Sequence, residues 1–429
     1  MSTKFARLRR LTLTVTLGLG LSAPALLAGP QSAVAAPQPA AVSTNHRLDR
    51  AALQSALDDV TAGDGVGAVA QVKGPQGSWS SASGVRRLSG RAPAARAGDQ
   101  VRIASVTKSM VATLVLQEVQ RGRWKLTTRV DQVLPGLLPG HGNVTLAQLL
   151  SHRSGLPDFA GVLVAGAVDG PALVDAVSVR YTDRQLVAAA LTLPWTFAPG
   201  TSFGYSNTNY VVLGMMLAKV NHRSLSTLLE RRVFKPARMT DSSFPRTARI
   251  RGAHLTEYAI VDKPYSLKTF EPSFFSSAGA VVSTARDVNR FYAALLQGKL
   301  VKRSLVQKMI TPLTDEPLAY GLGVYALPDP CPTKSGGQQL VYGHDGASFG
   351  TLTIALSSPD ARRQVTVAVT GRSFVVGATP PPYIEFAYEA LAATCPRPVP
   401  TTPESRTRAE SPVPEGLDAQ ATRKLVPIG

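Results

Sequence analysis

The chain has little of what several kinds of functional site require. Among its 429 residues there are two cysteines and six histidines, and aromatic residues make up 6%. Both cysteines, Cys331 and Cys395, fall late and have no histidine cluster beside them, which argues against a zinc site. In an exported chain an isolated pair favours one disulfide, stabilising by about 4 kcal/mol for a loop of this length. Two buried free thiols are the alternative. Acidic residues are scarce as well, 28 against 46 lysines and arginines, for a net charge of +18. That excess invites a nucleic-acid reading, but the basic residues are scattered, no aromatic residues interleave with them, and no nucleic-acid motif is present. No nucleic-acid partner is expected. The anions that remain are cell-wall polymers and lipid headgroups; a basic surface with no specific partner accounts for the charge equally well. Also missing are His-Glu-x-x-His, the P-loop and the dinucleotide fingerprint. Neither a metal nor a cofactor is expected.

Long apolar runs are confined to the N-terminus. Lys4, Arg7, Arg9 and Arg10 precede an apolar stretch, Leu11 to Leu27, and Ala33-Val34-Ala35 forms an A-x-A cleavage site. Pro24 interrupts that stretch, and no later one approaches the about 20 apolar residues of a membrane helix. Residues 1–35 therefore read as a signal peptide, 36–45 as a Pro/Ala-rich spacer, and the mature chain as secreted, with no transmembrane span. Beyond Cys395, residues 396–429 are rich in Pro, Thr, Glu and Arg and read as a disordered tail.

What lies between has enough apolar residues, 44% of the chain, for a large core. Helical periodicity over 48–60 is followed by strands at 66–72 and 78–84, then by an apolar helix beginning at Ser105 and stopping near Gly122. Residues 123–270 look helical and loop-rich, with a capping box at Thr145 to Gln148 and an apolar helix over 208–220. Strand-like runs return at 279–283, 320–327, 340–344, 351–356 and 364–370, with a helix over 287–297 and a closing helix over 383–393. The predicted architecture is α+β: the two ends of one domain, 46–395, build an antiparallel sheet flanked by helices, and a mostly helical subdomain is inserted. A monomer is expected.

Candidate chemistry begins at Ser105-Val106-Thr107-Lys108. Positions i and i+3 share a helix face, so an amine lies beside a hydroxyl at the positive end of the helix dipole. That pair suits a serine nucleophile with a lysine partner. Tyr205-Ser206-Asn207 adds a phenol and an amide at the entry to a helix. A phenol with a pKa of ~10 becomes a base at neutral pH only if nearby cations supply about 4 kcal/mol. Gly343-His344-Asp345-Gly346 sits at a strand end, where glycines permit close backbone approach. Gly346-Ala347-Ser348-Phe349-Gly350 matches a nucleophile elbow, but a strand follows it and no histidine comes after His344, so that reading fails.

Taken together, Ser105-x-x-Lys108, Tyr205-x-Asn207 and His344-x-Gly346 resemble, in order, the motifs of the serine penicillin-recognising hydrolases. The likeness extends to Leu149–Leu156, Ser277–Val281 and Tyr320–Gly323. It is greatest to the secreted D-alanyl-D-alanine carboxypeptidases of the class C β-lactamase-like group. The resemblance implies a β-lactamase/transpeptidase-like fold and an acyl-enzyme on Ser105, formed from a peptide or small-molecule acyl substrate, with β-lactams as covalent ligands. It implies proton transfer by Tyr205 and Lys108, with His344 supporting the Tyr205 network. It also implies an acyl-amide contact to Asn207, an oxyanion hole of the Ser105 and Ala347 N–H groups, and a disulfide between Cys331 and Cys395. Three positions depart from the carboxypeptidases. Tyr325 replaces an arginine, and Asp345 and Ala347 replace hydroxyl residues, all of which would hold the substrate carboxylate; Phe274 stands where an aromatic lines the cleft. Hydrolysis of D-Ala-D-Ala peptides on peptidoglycan is the leading expectation. A D-aminopeptidase, D-amino-acid amidase or esterase is the alternative, with Asp345 favouring an amine.

Overall fold

The computed structural model describes residues 47–314, 318–331 and 338–396. The expected signal peptide and spacer, and all but the first residue of the expected tail, lie outside the described residues.

Asp49 caps α1 (Arg50–Asp59), whose Leu53 and Leu57 are buried. The hairpin β1 (Gly67–Gly74) and β2 (Gly77–Gly84) follows. Strand β3 (Val101–Arg102) leads through a tight 3-10 turn, Ala104–Val106, into α2 (Thr107–Gln120). A helical region comes next: α3 (Leu146–Leu150), α4 (Phe159–Val164), α5 (Gly170–Val177), α6 (Asp183–Ala190), α7 (Asn207–Asn221), α8 (Leu225–Leu229) and α9 (Lys235–Ala237). The capping box expected at Thr145 is present at α3, both bonds made. Short strands β4 (Tyr258–Ile260), β5 (Pro264–Ser266) and β6 (Val282–Ser283) precede α10 (Ala285–Leu296) and α11 (Arg303–Ile310). The chain then returns to the sheet with β7 (Tyr325–Pro328), β8 (Leu340–Ala347), β9 (Thr351–Ser357) and β10 (Gln364–Thr370), and ends in β11 (Arg372–Ser373) and α12 (Tyr383–Ala393).

The main sheet has the order β2-β1-β10-β9-β8-β7, every neighbour antiparallel. Residues from both ends of the chain therefore pair directly, as in Val69 opposite Ala368. Side chains alternate across the sheet. One face carries Ala68, Ala70, Ile354 and Val367 against α1 and α12, and the other packs against α10. Helix α2 is buried from Thr107 to Glu118, an all-round apolar helix of the kind that runs through a core. Cys331 and Cys395 are disulfide-bonded, tying the end of α12 to the segment after β7. No helix among the described residues is long and apolar enough to cross a membrane.

Two expected elements differ. The strand-like run 320–327 is a strand only from Tyr325, because Gly323 takes a φ of +82° and turns the chain. In the other direction, β8 runs on to Ala347, so the His344 motif lies inside a strand rather than at its end.

Candidate active site

Ser105 lies in the 3-10 turn, one step before α2 rather than in its first helical turn. Ala104 has a φ of +43°, a left-handed conformation that swings the chain out of β3 and around to the helix. The i+3 relation to Lys108 survives this change. Lys108 Nζ donates to Ser105 Oγ at 2.8 Å, to Asn207 Oδ1 at 2.8 Å and to the Ala278 carbonyl at 2.9 Å. An ammonium has three hydrogens, and here each has an acceptor. Lys108 is fully buried, while Ser105 keeps 6% of its surface exposed. The ring of Tyr205 lies under the amine, 4.9 Å from Nζ to the ring centre.

The amide Asn207 opens α7 and is held from behind. Asp158 Oδ2 accepts from its Nδ2 at 2.8 Å and from its backbone N–H at 3.1 Å. Asp158 also caps α4, its Oδ1 accepting from the Ala160 N–H. Burial raises the Asp158 pKa, while hydrogen bonds from Ala160 and Asn207 and the charge of Lys108 oppose that rise.

His152 stacks on Tyr205 with ring centres 4.2 Å apart. Its Nδ1 accepts from the Ser206 N–H at 3.1 Å, which places the ring proton on Nε2, an atom with no hydrogen-bond partner among the described residues. His344 is also fully buried. Its Nδ1 lies 2.5 Å from the Asp345 carbonyl oxygen, so it carries the proton, and its Nε2 accepts from Tyr320 Oη at 2.9 Å. Its polar contacts thus run to Tyr320 and its own strand, with its ring centre 6.4 Å from that of Tyr205. Burial and then the Lys108 charge depress both histidines, His152 well below its usual value and His344 to about 3. Both are neutral in the working range, which suits a site that already holds a buried cation.

These shifts predict an acid limit to stability. A histidine depressed in the folded state binds its proton only on unfolding, so its stabilisation is complete above about pH 6.5 and is lost as pH falls below that value. With two such groups, the unfolding free energy should fall by about 2 kcal/mol per pH unit between pH 6 and 5. Denaturant melts across that interval measure the slope. A flat profile would contradict neutral, buried His152 and His344.

Strand β8 supplies the opposite wall. Ser348 N–H donates to the Thr351 carbonyl, so the antiparallel alternation turns the Ala347 N–H away from β9. The 3-10 turn bearing Ser105 packs against β8. Gly346 permits that approach: a Cβ there would lie 2.5 Å from the Ile103 carbonyl oxygen and 3.0 Å from the Ser105 nitrogen. Ser348, the serine of the apparent elbow, instead donates its hydroxyl to buried Glu257.

Three residues expected at the cleft have buried side chains. Because the motif lies within β8, strand parity starts Asp345 on the face opposite His344; its side chain is 5% exposed, and its Oδ1 lies 3.6 Å from His344 Nδ1. Tyr325 points to that same face and is buried in the α12 core. There the Asp345 charge adds to burial in raising the Tyr325 pKa well above 10. Phe274 is also fully buried, edge-on to Phe159, Tyr181, Phe275 and Phe349. The residues that sequence reasoning missed are His152, Asp158, Tyr320 and the Ala278 carbonyl. Their only signals were the Leu149–Leu156, Ser277–Val281 and Tyr320–Gly323 matches and an Asp ahead of an apolar run. Among the described residues no group of three or more His, Cys, Asp or Glu side chains is gathered as a metal site.

This fold and this Ser-Lys-Tyr-Asn arrangement match a known family. The Beta-lactamase family profile matches residues 53–386, and the chain belongs to that family. The fold is that of the β-lactamases and transpeptidases. A D-stereospecific amidohydrolase from Streptomyces sp. is 31% identical, with a TM-score of 0.66 over 76% of this chain and 96% of its own. Penicillin-binding protein 4 of Amycolatopsis lactamdurans is 32% identical over 195 residues, 44% of this chain and 48% of that protein. The chain spans about half the length of the curated relatives it matches. An octameric penicillin-binding protein homologue from Pyrococcus abyssi shares the fold at 20% identity and a TM-score of 0.62, covering 81% of this chain and 78% of its own.

Proposed function

We propose that the chain is an exported acyl-serine hydrolase that cleaves amide or ester bonds of D-configured amino acids. The observation that carries this reading is the 2.8 Å bond from buried Lys108 Nζ to Ser105 Oγ, with Asn207 completing the amine's surroundings. Ser105 Oγ attacks the substrate carbonyl carbon, and its proton passes to the Lys108–Tyr205 pair in the state that has one proton fewer than ammonium plus phenol, with the Tyr205 oxygen as phenolate while Lys108 keeps its three donors. The carbonyl π electrons move onto oxygen, which the Ser105 and Ala347 N–H groups receive as preorganised donors. Collapse breaks the bond to the leaving amine or alcohol, which takes up the proton. Water then attacks the acyl-enzyme by the same route, releasing the carboxylic acid and restoring Ser105. Lys108 Nζ lies 4.9 Å from the Tyr205 ring centre, so the two groups stand side by side at the serine. His344, neutral and bonded to Tyr320, supports the wall beside Tyr205 rather than carrying charge to it.

The substrate class rests on the D-stereospecific amidohydrolase relative. The second reading, a D-Ala-D-Ala carboxypeptidase, is favoured by the penicillin-binding relatives. Export is supported by the disulfide, a bond kept in oxidising compartments. A substrate panel decides between the readings. Amides and esters of D-alanine and D-phenylalanine should exceed a D-Ala-D-Ala peptide by at least about tenfold in kcat/KM, a difference of about 1.4 kcal/mol. The reverse order would establish the carboxypeptidase, and turnover of L- and D-substrates alike would overturn the stereochemical assignment.

A further inference from the structure

We infer that Asp158 is a positioning residue for the nucleophile's lysine partner, fixing the Asn207 side chain so that its oxygen faces Lys108. The inference rests on the acyl-serine reading and assigns a part of that machinery which none of the three motifs contains.

A side-chain amide has a donor end and an acceptor end of nearly equal shape, and its partners decide which way it points. At Asn207 the decision is made from behind. Asp158 Oδ2 is an acceptor only, and it takes hydrogen bonds from both the Asn207 Nδ2 and the Asn207 backbone N–H. The other carboxylate oxygen is tied to the Ala160 N–H, so the group cannot turn away. Asn207 Oδ1 is thereby delivered to Lys108 Nζ at 2.8 Å. With Asn207 and the Ala278 carbonyl taking two hydrogens of the ammonium, the third is aimed at Ser105 Oγ. Reversing the amide would set a donor against a donor and leave Lys108 free to swing away from the serine. The Lys108 charge in turn favours the ionised form of Asp158, against the effect of its burial.

One N–H of Asn207 Nδ2 is held by Asp158, so a substrate amide has only the second to bind. Asn207 is thus chiefly a bridge between Asp158 and Lys108, and only in part a contact for the acyl group.

The test is Asp158→Asn, which keeps an oxygen for the α4 cap but presents an NH2 to Asn207. The expected result is a fall of about 100-fold in kcat with KM changed less than about threefold, the signature of lost alignment rather than lost binding. The same change at Asp169, the cap of α5, has no link to Lys108 and should leave both measures as in the unmodified protein. If Asp158→Asn does not fold, Asp158→Ser keeps a capping oxygen and is read by the same two measures. Unchanged kcat in a folded Asp158 variant, with Ser105→Ala inactive, would overturn this inference alone. Activity that survives Ser105→Ala would overturn the reading beneath it.

Discussion

Ser105→Ala should lower turnover of every acyl substrate by at least about 10,000-fold, because removal of a covalent nucleophile leaves only binding and the oxyanion donors. The fold should survive. The serine contributes a single side-chain acceptor to Lys108, and its loss costs about 1–2 kcal/mol, the penalty for one unsatisfied buried donor. Turnover of a chromogenic D-amino-acid anilide, measured beside a denaturant melt, separates the two effects. A variant that melts normally yet retains more than about a tenth of the activity would exclude Ser105 as the nucleophile.

Lys108→Met carries the second large effect. Methionine fills nearly the same volume but offers no hydrogens, so Ser105 Oγ, Asn207 Oδ1 and the Ala278 carbonyl all lose their donor. Acylation should slow by about 1,000-fold or more, since the serine proton loses half of its acceptor pair and the oxyanion wall is untouched. The stability change should be modest. Replacing a buried charge with an apolar chain recovers its desolvation cost while leaving three acceptors unmet, and these oppose one another. Single-turnover acylation by an active ester measures the chemical step directly. Acylation as fast as in the unmodified protein would assign the proton transfer wholly to Tyr205.

Much of this was legible because the signals were local. Ser105 and Lys108 are three residues apart, and their bond forms whether the serine sits on the helix or in the 3-10 turn before it. Strands β9 and β10 and helix α12 were readable from β-branched runs and helical periodicity, because each is bounded by Pro, Gly or Asp. His152 and Asp158 were not readable as site residues. Their roles arise where the loops after α3 meet the entry to α7, some 50 residues later, at contacts no spacing rule reports. Tyr325 and Asp345 show a different limit. Strand parity decides which face a side chain takes, so an element whose end is misplaced by a few residues loses its address in the site. The pocket that separates an amidase from a carboxypeptidase is therefore less legible than the catalytic pair.

The measurement that tests the central claim most directly is the mass of the protein after mixing with a slowly released acyl donor, such as a β-lactam or an active ester, followed by mapping of the modified peptide. The account predicts one acyl group per chain, on the peptide bearing Ser105, and none in Ser105→Ala. An adduct on another residue, or one that persists in Ser105→Ala, would contradict it.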